Sequence, residues 1–303
     1  MTRIWLASYP KSGNTWLRMQ IANLSATEGP VEINNLPERG GIASARGPFD
    51  HLTLIDSGLL THDEVDSLRP RVYEALAAGA DDDEYDARPE RAKASFVKAH
   101  DAYTMTPDGE PLLAGARGAA GAVVVVRDPR DVAPSLAHYY GTDIDAAIAF
   151  MGNVKAEFCA RNDRQANQLR QRLLGWSGFM TSWLEQTDIP VHLVRYEDMQ
   201  SDAARVLRGM LDFARRPATD AEIERAVAFA DFRQLRKQEQ DNGFGEASRA
   251  GCFFRRGDTG SWREELTPEQ AARIERDHAP MMRRLGYPLS TMVASADAET
   301  EPG

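Results

Sequence analysis

Residues 3–18 read RIWLASYPKSGNTWLR and predict a strand, a tight polar loop and a helix. The apolar run at residues 4–9 has the length of a buried strand, and Pro10 ends it. The apolar positions of residues 16–24 have helical spacing. A loop between such elements directs backbone N–H groups and the positive end of a helix dipole to one point, so this unit suits a phosphate.

The side chains of this loop also suit an anion, because Lys11 adds a mobile cation and Ser12 and Thr15 add hydroxyl donors. No glycine precedes Lys11, so the Gly-Lys-Ser/Thr order of loops that bind nucleoside triphosphates is missing. The string YPKSGNTW resembles the 5′-phosphosulfate-binding loop of cytosolic-type sulfotransferases, which use 3′-phosphoadenosine 5′-phosphosulfate (PAPS). The resemblance implies a P-loop-like site formed by Lys11, Ser12, Gly13, Asn14, Thr15 and Trp16. Asn14 replaces the family's usual Thr, and both side chains can donate a hydrogen bond.

The composition narrows the classes of protein to which the chain can belong. Its 303 residues, 42% of them hydrophobic, allow one large α/β domain. The net charge of −10 argues against nucleic acid as a partner, so a phosphate site must be a local basic pocket. Cys159 and Cys252 are too few for a disulfide framework and lack metal-ligand spacing, which favours the cytoplasm. We expect no signal peptide, because the N-terminus leads directly into a strand, and no membrane partner, because no apolar run approaches about 18 residues.

Three further strands are predicted at residues 95–99, 122–126 and 189–194, and helical segments separate them. One of these helices is expected over residues 165–186. Alternating strands and helices predict an α/β fold with a central, mostly parallel sheet flanked by helices. We expect a single domain at residues 1–289 and a disordered tail at 290–303. Ligands of such sheets bind beyond the carboxyl ends of the strands, where Lys11, His100, Arg127 and Tyr196 are expected.

Two further segments carry arginines that could bind a second phosphate. Residues 127–135 read RDPRDVAPS, in which Arg127 could form a fork onto a phosphate or pair with Asp131. This string resembles the family's R-[ND]-P-[KR]-D-x-x-x-S motif, which implies that Arg127 and Ser135 bind the 3′-phosphate of PAPS. Residues 253–262 read FFRRGDTGSW and resemble the family's R-K-G-x-x-G-x-W segment. That resemblance implies that Arg255, Arg256 and Gly257 close over the same phosphate, whereas adjacent arginines alone are typical of a solvated surface.

Aromatic residues of the chain resemble those that contact adenine in the family. Tyr196 opens a Y-E-D-M segment, and Phe232 and Trp16 match other aromatic positions of the nucleotide site. Each also has a structural alternative, since Tyr196 can precede a capped helix and the other two can pack in the core.

His100 ends the string KAH, which resembles the family's K-[TA]-H segment. The resemblance implies that His100 is the general base and that Lys98 stabilises the sulfuryl oxygens. A neutral imidazole suits the removal of a hydroxyl proton near neutral pH. A structural role for His100 is the alternative, and His138 is then the second candidate for the base.

The resemblance covers about residues 4–285. It implies a PAPS-dependent sulfotransferase that needs no metal, uses a small-molecule hydroxyl acceptor and releases adenosine 3′,5′-bisphosphate (PAP). A nucleotide kinase-like phosphoryl transferase is one alternative, although it would need the Gly-Lys-Ser/Thr loop. A non-catalytic nucleotide-binding sensor is the other, and the presence of both Lys11 and His100 argues against it.

The acceptor and the oligomeric state stay open. The acceptor pocket is expected from residues 28–51, the helix after Thr61, residues 139–155 and the surroundings of Phe244. A composition rich in Ala, Arg and Asp is typical of bacterial proteins, so a natural product is the expected acceptor, with a phenol or a sugar as alternatives. The family's dimer motif K-x-x-x-T-V-x-x-x-E would fall on residues 263–272, where Arg263, Pro268 and Ala272 depart from it.

Overall fold

The computed structural model describes residues 2–36, 41–78, 94–247 and 251–290. Four strands form one sheet: β1 (Thr2–Ser8), β2 (Ala94–Ala99), β3 (Gly121–Val126) and β6 (Val191–Arg195). Their order is β2-β1-β3-β6, and every neighbouring pair is parallel. The predicted parallel sheet is therefore confirmed. The predicted tail lies, from residue 291 onward, outside the described residues.

Thirteen helices of the described chain surround the sheet. They are α1 (Asn14–Asn23), α2 (Arg46–Thr53), α3 (His62–Ala78), α4 (Gly115–Gly118), α5 (Pro129–Tyr140), α6 (Ile144–Gly152), α7 (Gly175–Glu185), α8 (Tyr196–Ser201), α9 (Ala203–Phe213), α10 (Asp220–Phe229), α11 (Phe232–Asn242), α12 (Trp262–Glu265) and α13 (Pro268–Arg284). A short 3₁₀-helix spans Ser57–Leu59.

Both faces of the sheet are covered, because alternate residues of each strand point into different apolar clusters. On one face Trp5 and Val124 pack with residues of α5, α6, α7 and α13. On the other face Leu6 and Val125 pack with residues of α1, α9 and α10. All six residues of β3 are buried, as its run of valines predicts. The protein therefore has three layers, and the carboxyl ends of the strands open at one edge.

The predicted helix over residues 165–186 is wrong in its first half. Residues Gln171–Arg172 form β5, which pairs antiparallel with β4 (Glu157–Phe158), and the helix begins only at Gly175. Leu174 and Gly175 have φ angles of 59° and 67°, a left-handed conformation that interrupts a helix. A Cβ atom on Gly175 would lie 2.5 Å from the carbonyl oxygen of Met151, so only glycine fits there. The β4–β5 hairpin becomes one wall of the cavity described below.

A buried arginine anchors the end of β2. The side chain of Arg69 has no exposed surface, and its Nη2 atom lies 2.6 Å from Oδ2 of Asp101. Arg69 also donates to the hydroxyl of Tyr73 at 2.8 Å and to the carbonyl of Arg170 at 2.9 Å. Burial acts to lower the pKa of Arg69, but Asp101 outweighs it and the pKa lies above its usual range. Because Asp101 follows His100, this pair connects the end of β2 to the β4–β5 hairpin.

We expect Arg69→Met to lower the free energy of unfolding by about 3–5 kcal/mol, because it leaves Asp101 as a buried charge without its partner. Urea denaturation of the purified variant measures the change. Arg117→Met is the matched control, since Arg117 forms half-exposed pairs with Glu74 and Glu110 and should matter little. Equal stability of the Arg69 variant and the wild type would show that the buried pair contributes nothing.

Candidate functional site

A cavity of about 450 Å³ opens at the carboxyl edge of the sheet. Its lining contains all but one of the site residues predicted from the sequence: Lys11, Gly13, Asn14, Thr15, Trp16, Lys98, His100, Arg127, Ser135, Tyr196, Phe232, Arg255, Arg256 and Gly257. Ser12 is the exception, because its side chain is buried within the loop at 1% exposure. The fold therefore brings residues from seven separate parts of the chain to one place.

The loop between β1 and α1 has a backbone that its sequence makes possible. Lys11 and Gly13 both have positive φ angles, of 66° and 100°. The ring of Tyr196 packs against Gly13 so closely that an added Cβ atom would lie 2.5 Å from it. Helix α1 begins at Asn14, and the first N–H groups of a helix have no partner within it. The loop is thus a compact turn that leads into the positive end of α1.

The amide of Asn14 serves the loop itself. Its Nδ2 atom donates to the carbonyl of Leu6 at 2.9 Å and to the hydroxyl of Ser8 at 3.1 Å. Both amide hydrogens are used in this way, so Asn14 holds the loop against β1 and does not offer its side-chain donor to the cavity. Ser12 Oγ, by contrast, is buried and has no hydrogen-bond partner among the described residues.

Lys11 lies in an aromatic environment. Its Nζ atom is 3.7 Å from the ring centroid of Phe253 and 4.5 Å from that of Tyr139, which are cation–π distances. Burial, together with the nearby charges of Arg127 and Lys98, lowers the pKa of Lys11 to about 7. Lys11 therefore titrates near neutral pH, and an anion beside it would raise its pKa again.

His100 is held as a neutral imidazole. Its Nδ1 atom is 2.8 Å from the carbonyl oxygen of Ser8, which can only accept, so Nδ1 carries the hydrogen and Nε2 has the free lone pair. Burial, followed by the charge of Lys98, lowers the pKa of His100 to about 3. His138 does not line the cavity, and its Nε2 atom lies 3.1 Å from the carbonyl of Cys252. The geometry therefore favours His100 over His138 as a proton acceptor.

Arg127 lines the same cavity as His100 and comes directly after β3. Its Nη2 atom donates to the carbonyl of Asp258 at 2.7 Å, and its guanidinium lies 4.4 Å from the ring centroid of Tyr196. Its Nε atom is buried without a hydrogen-bond partner in the described chain. Asp131, the alternative partner considered from the sequence, instead accepts from the N–H groups of Gly260 and Trp262 at 2.7 and 2.9 Å.

The two adjacent arginines are engaged by acids of α12. Arg255 forms a fork onto Glu265 at 2.6 and 2.9 Å, and Arg256 donates to Glu264 at 2.8 Å. Gly257 has a φ angle of 77°, and an added Cβ atom would lie 2.5 Å from the ring of Phe232. These arginines line the cavity, but a phosphate would have to compete with two carboxylates for them.

Three aromatic residues lie near two basic regions of the cavity. The first region is the loop that carries Lys11, and the second is formed by Arg127, Arg255 and Arg256. Trp16 donates from its indole N–H to the carbonyl of Ala230 at 2.8 Å and contacts the Tyr196 ring at a centroid distance of 5.7 Å. The hydroxyl of Tyr196 donates to the carbonyl of Gly257 at 2.6 Å. Phe232 contacts Phe254 edge to face at 5.9 Å. These contacts hold the side chains of Trp16, Tyr196 and Phe232 in place. The three rings line the cavity, where a flat base could stack on them.

Sequence reasoning missed Glu246 and Arg18. The carboxylate of Glu246 lies 2.5 Å from Nη1 of Arg18 and 2.9 Å from Nζ of Lys98. The polar segment around Glu246 gave no signal, because the contacts join residues more than 140 positions apart. The one available clue was the spacing of Arg18 from Thr15, which places both on the same face of α1.

The remaining wall of the cavity is partly aromatic. It is formed by Tyr139 and Tyr140 at the end of α5 and by Phe158, Cys159 and Gln171 of the β4–β5 region. Residues 139–155 were predicted to contribute, but the hairpin was not, because residues 165–186 were read as one helix. Gln171 is therefore a site residue that the wrong helix prediction concealed.

The structure shows neither a metal-binding group nor a membrane-spanning helix within residues 2–36, 41–78, 94–247 and 251–290. No group of three or more His, Cys, Asp or Glu side chains there is placed to hold a metal ion. No helix of this part of the chain has the length and apolar character needed to cross a bilayer.

The chain is similar to known proteins in sequence and in fold. The family model described as "Sulfotransferase domain" matches residues 1–286. A flavonol 3-sulfotransferase of Flaveria bidentis is 24% identical over 90% of this chain and 79% of its own length. An amine sulfotransferase of Oryctolagus cuniculus is 24% identical, but the match covers 51% of this chain and only 52% of that protein, about half its length. A mouse sulfotransferase crystallised with PAP has the same fold, with a TM-score of 0.55, 19% identity, and coverage of 93% of this chain and 85% of that one.

Proposed function

The chain belongs to the sulfotransferase family, and we propose that it transfers a sulfuryl group from PAPS to a hydroxyl of a small-molecule acceptor. The observation that carries the proposal is the convergence of Lys11, His100 and Arg127 on one cavity, each beyond the carboxyl end of a strand of the same parallel sheet. The cavity thus has a cationic loop, a second cationic region and a neutral imidazole.

The residues of the cavity fit a nucleotide with phosphates at both ends. Ser12 Oγ and Arg127 Nε are buried donors without hydrogen-bond partners among the described residues, one in each basic region. Buried donors of this kind are costly unless a ligand satisfies them. The aromatic surfaces of Trp16, Tyr196 and Phe232 lie between the two regions and suit adenine.

PAPS supplies the activated sulfuryl group in this reaction. Nε2 of His100 accepts the proton of the acceptor hydroxyl as the new oxygen–sulfur bond forms. The ammonium of Lys11 stabilises the negative charge that develops on the phosphate oxygen as its bond to sulfur breaks. Lys98, the residue before the last of β2, supports the sulfuryl oxygens. Positioning of the two reactants by these fixed side chains supplies much of the remaining rate enhancement.

An aromatic natural product that carries a hydroxyl is the acceptor we favour, and a phenol is its simplest form. The rings of Tyr139, Tyr140 and Phe158 and the amide of Gln171 form the wall opposite the loop. The similar Flaveria bidentis protein is named for a flavonol, which is a phenol. Incubation with PAPS and a panel of phenols and sugars, followed by mass spectrometry for added SO₃, tests this choice of acceptor. We also propose that the reaction takes place in the cytoplasm.

No observation favours phosphoryl transfer or a sensor role as a second function. The loop order at Lys11 differs from that of kinases, and the cavity contains a neutral imidazole that a sensor would not need.

We expect Arg127→Ala to weaken PAP binding by about 10- to 100-fold, the range expected when one charged hydrogen-bonding group is lost. Isothermal titration calorimetry with PAP measures the affinity. Arg117→Ala, which removes the same charge far from the cavity, controls for long-range electrostatics. Unchanged affinity of the Arg127 variant would remove this residue from the nucleotide site.

A further inference from the structure

A carboxylate of the protein already lies in the cationic part of the cavity. Oε1 of Glu246 is 2.5 Å from Nη1 of Arg18, and Oε2 is 2.9 Å from Nζ of Lys98. The hydroxyl of Thr15 donates to the same Oε2 atom at 3.4 Å. Burial acts to raise the pKa of Glu246, but Lys98 and Arg18 outweigh it and lower the pKa to about 2. Glu246 is therefore ionised at every pH at which an enzyme of this kind would work.

The three groups around this carboxylate come from the elements that build the phosphosulfate loop. Thr15 and Arg18 are three residues apart on α1 and so share a helix face, while Lys98 comes from β2, next to β1 in the sheet. Two cations and a hydroxyl thus converge on one oxyanion, close to the N-terminus of a helix. Such an arrangement suits sulfate and phosphate oxygens as well as it suits a carboxylate.

We propose that Arg18 is a further anion-binding residue of the phosphosulfate subsite and that Glu246 fills this subsite until the 5′ end of the nucleotide displaces it. The inference rests on the proposed function, because it takes the displacing ligand to be PAPS or PAP. Both anions require the same donors and repel each other, so they bind in competition.

This competition should raise the apparent dissociation constant for PAP. When a protein binds its ligand only in the fraction of molecules whose site is accessible, the apparent dissociation constant rises in inverse proportion to that fraction. The occupied state is held by two ion pairs of Glu246, so removal of its charge should increase the accessible fraction. Only ligands that carry a 5′ anion should benefit, because Glu246 forms its ion pairs with Arg18 and Lys98, whereas Arg127 donates to the carbonyl of Asp258.

The first experiment compares two nucleotides on one variant. We expect Glu246→Gln to bind PAP about tenfold more tightly than the wild type does, measured by calorimetry. Adenosine 3′-monophosphate, which lacks the 5′ anion, should bind both proteins equally. Asp241→Asn is the matched control, since Asp241 is an exposed acid paired with Lys237 four positions away, and it should change neither affinity.

The second experiment isolates Arg18. In the wild type Arg18 binds both Glu246 and, by this proposal, the ligand, so its removal alone has two opposing effects. In the Glu246→Gln background we expect Arg18→Gln to weaken PAP binding about tenfold or more, as for the loss of one charged hydrogen-bonding group. Arg18→Lys in that background should recover part of the affinity. Unchanged binding of adenosine 3′-monophosphate shows that each variant keeps its folded site.

Several outcomes would overturn the inference. Equal PAP affinity of Glu246→Gln and wild type would mean that the carboxylate does not compete, and tighter binding of both nucleotides would place its effect elsewhere. Unchanged PAP affinity of the double variant would remove Arg18 from the subsite. These results differ from a failure of the proposed function, in which the wild type would bind neither PAP nor adenosine 3′-monophosphate.

Discussion

His100→Ala is expected to lower kcat for sulfuryl transfer by about 10²–10⁴-fold, the usual contribution of a positioned general base. The Ser8 carbonyl fixes the Nδ1 hydrogen of His100, which leaves Nε2 as the proton acceptor in the cavity. Alanine removes that acceptor without adding a charge. Steady-state kinetics with PAPS and the best acceptor from the panel measures the loss, and KM for PAPS should change little because His100 does not belong to the phosphate-binding loop.

His138→Ala is the control for this prediction, because it removes a histidine that lies outside the cavity lining and contacts the Cys252 carbonyl. It should keep most of the activity. If His138→Ala abolishes turnover and His100→Ala does not, the base is wrongly assigned. The pH profile is a second check. Since the pKa of His100 lies at about 3, it stays neutral on the acid side, and kcat/KM should not decline between pH 7 and pH 5 through this group.

Lys11→Ala is expected to lower kcat by about 10²–10³-fold, as for the loss of one preorganised donor at a developing negative charge. The positive φ of Lys11 and its aromatic neighbours Phe253 and Tyr139 hold the ammonium at the loop. The same kinetic assay measures the effect. Lys237→Ala, which removes an exposed lysine of α11 paired with Asp241, should leave kcat unchanged. Full turnover by the Lys11 variant would exclude this residue from the mechanism.

Lys11 should also make the binding of PAP weaker at alkaline pH. Its pKa lies at about 7 because of burial and of the neighbouring Arg127 and Lys98, so the free enzyme loses the Lys11 charge as the pH rises through 7. A bound anion raises the pKa again, and the complex then holds one more proton than the free enzyme. The affinity for PAP should therefore fall by up to about tenfold for each pH unit above 7.

Much of the site follows from the sequence because its residues stand directly after strands. The valine run of β3 and the apolar run of β1 predict buried strands, and a parallel sheet places their carboxyl ends at one edge. Lys11, His100 and Arg127 were therefore predictable as neighbours. The structure also has a capping box at the start of α13, where the hydroxyl of Thr267 accepts from the N–H of Gln270.

The parts that the sequence did not predict depend on contacts between distant residues. Nothing near Glu246 indicates that its carboxylate meets Arg18 and Lys98, and nothing near Arg69 indicates a fully buried pair with Asp101. The hairpin at Phe158 and Gln171 was missed for a local reason. The left-handed backbone at Leu174 interrupts a segment whose side chains have helical spacing, and a non-glycine residue gives no warning of that conformation.

Asn14, Arg255 and Arg256 were expected to bind the nucleotide as their counterparts in the family do. In the structure their side chains have other partners. Asn14 uses its amide donors on Leu6 and Ser8, and the two arginines are held by Glu265 and Glu264. Their contributions to nucleotide binding stay predictions. Replacement of Glu264 and Glu265 by glutamine would show how strongly those acids compete with a phosphate.

Calorimetric titration of PAP at pH 8, in two buffers of different ionisation enthalpy, tests the central claim most directly. The account predicts that PAP binds and that the complex takes up protons, since burial and the neighbouring Arg127 and Lys98 lower the pKa of Lys11 to about 7 and the bound anion raises it again. The uptake should vanish in Lys11→Ala. The absence of binding, or binding with a heat that is independent of the buffer and unchanged in the Lys11 variant, would contradict a PAPS site built around Lys11.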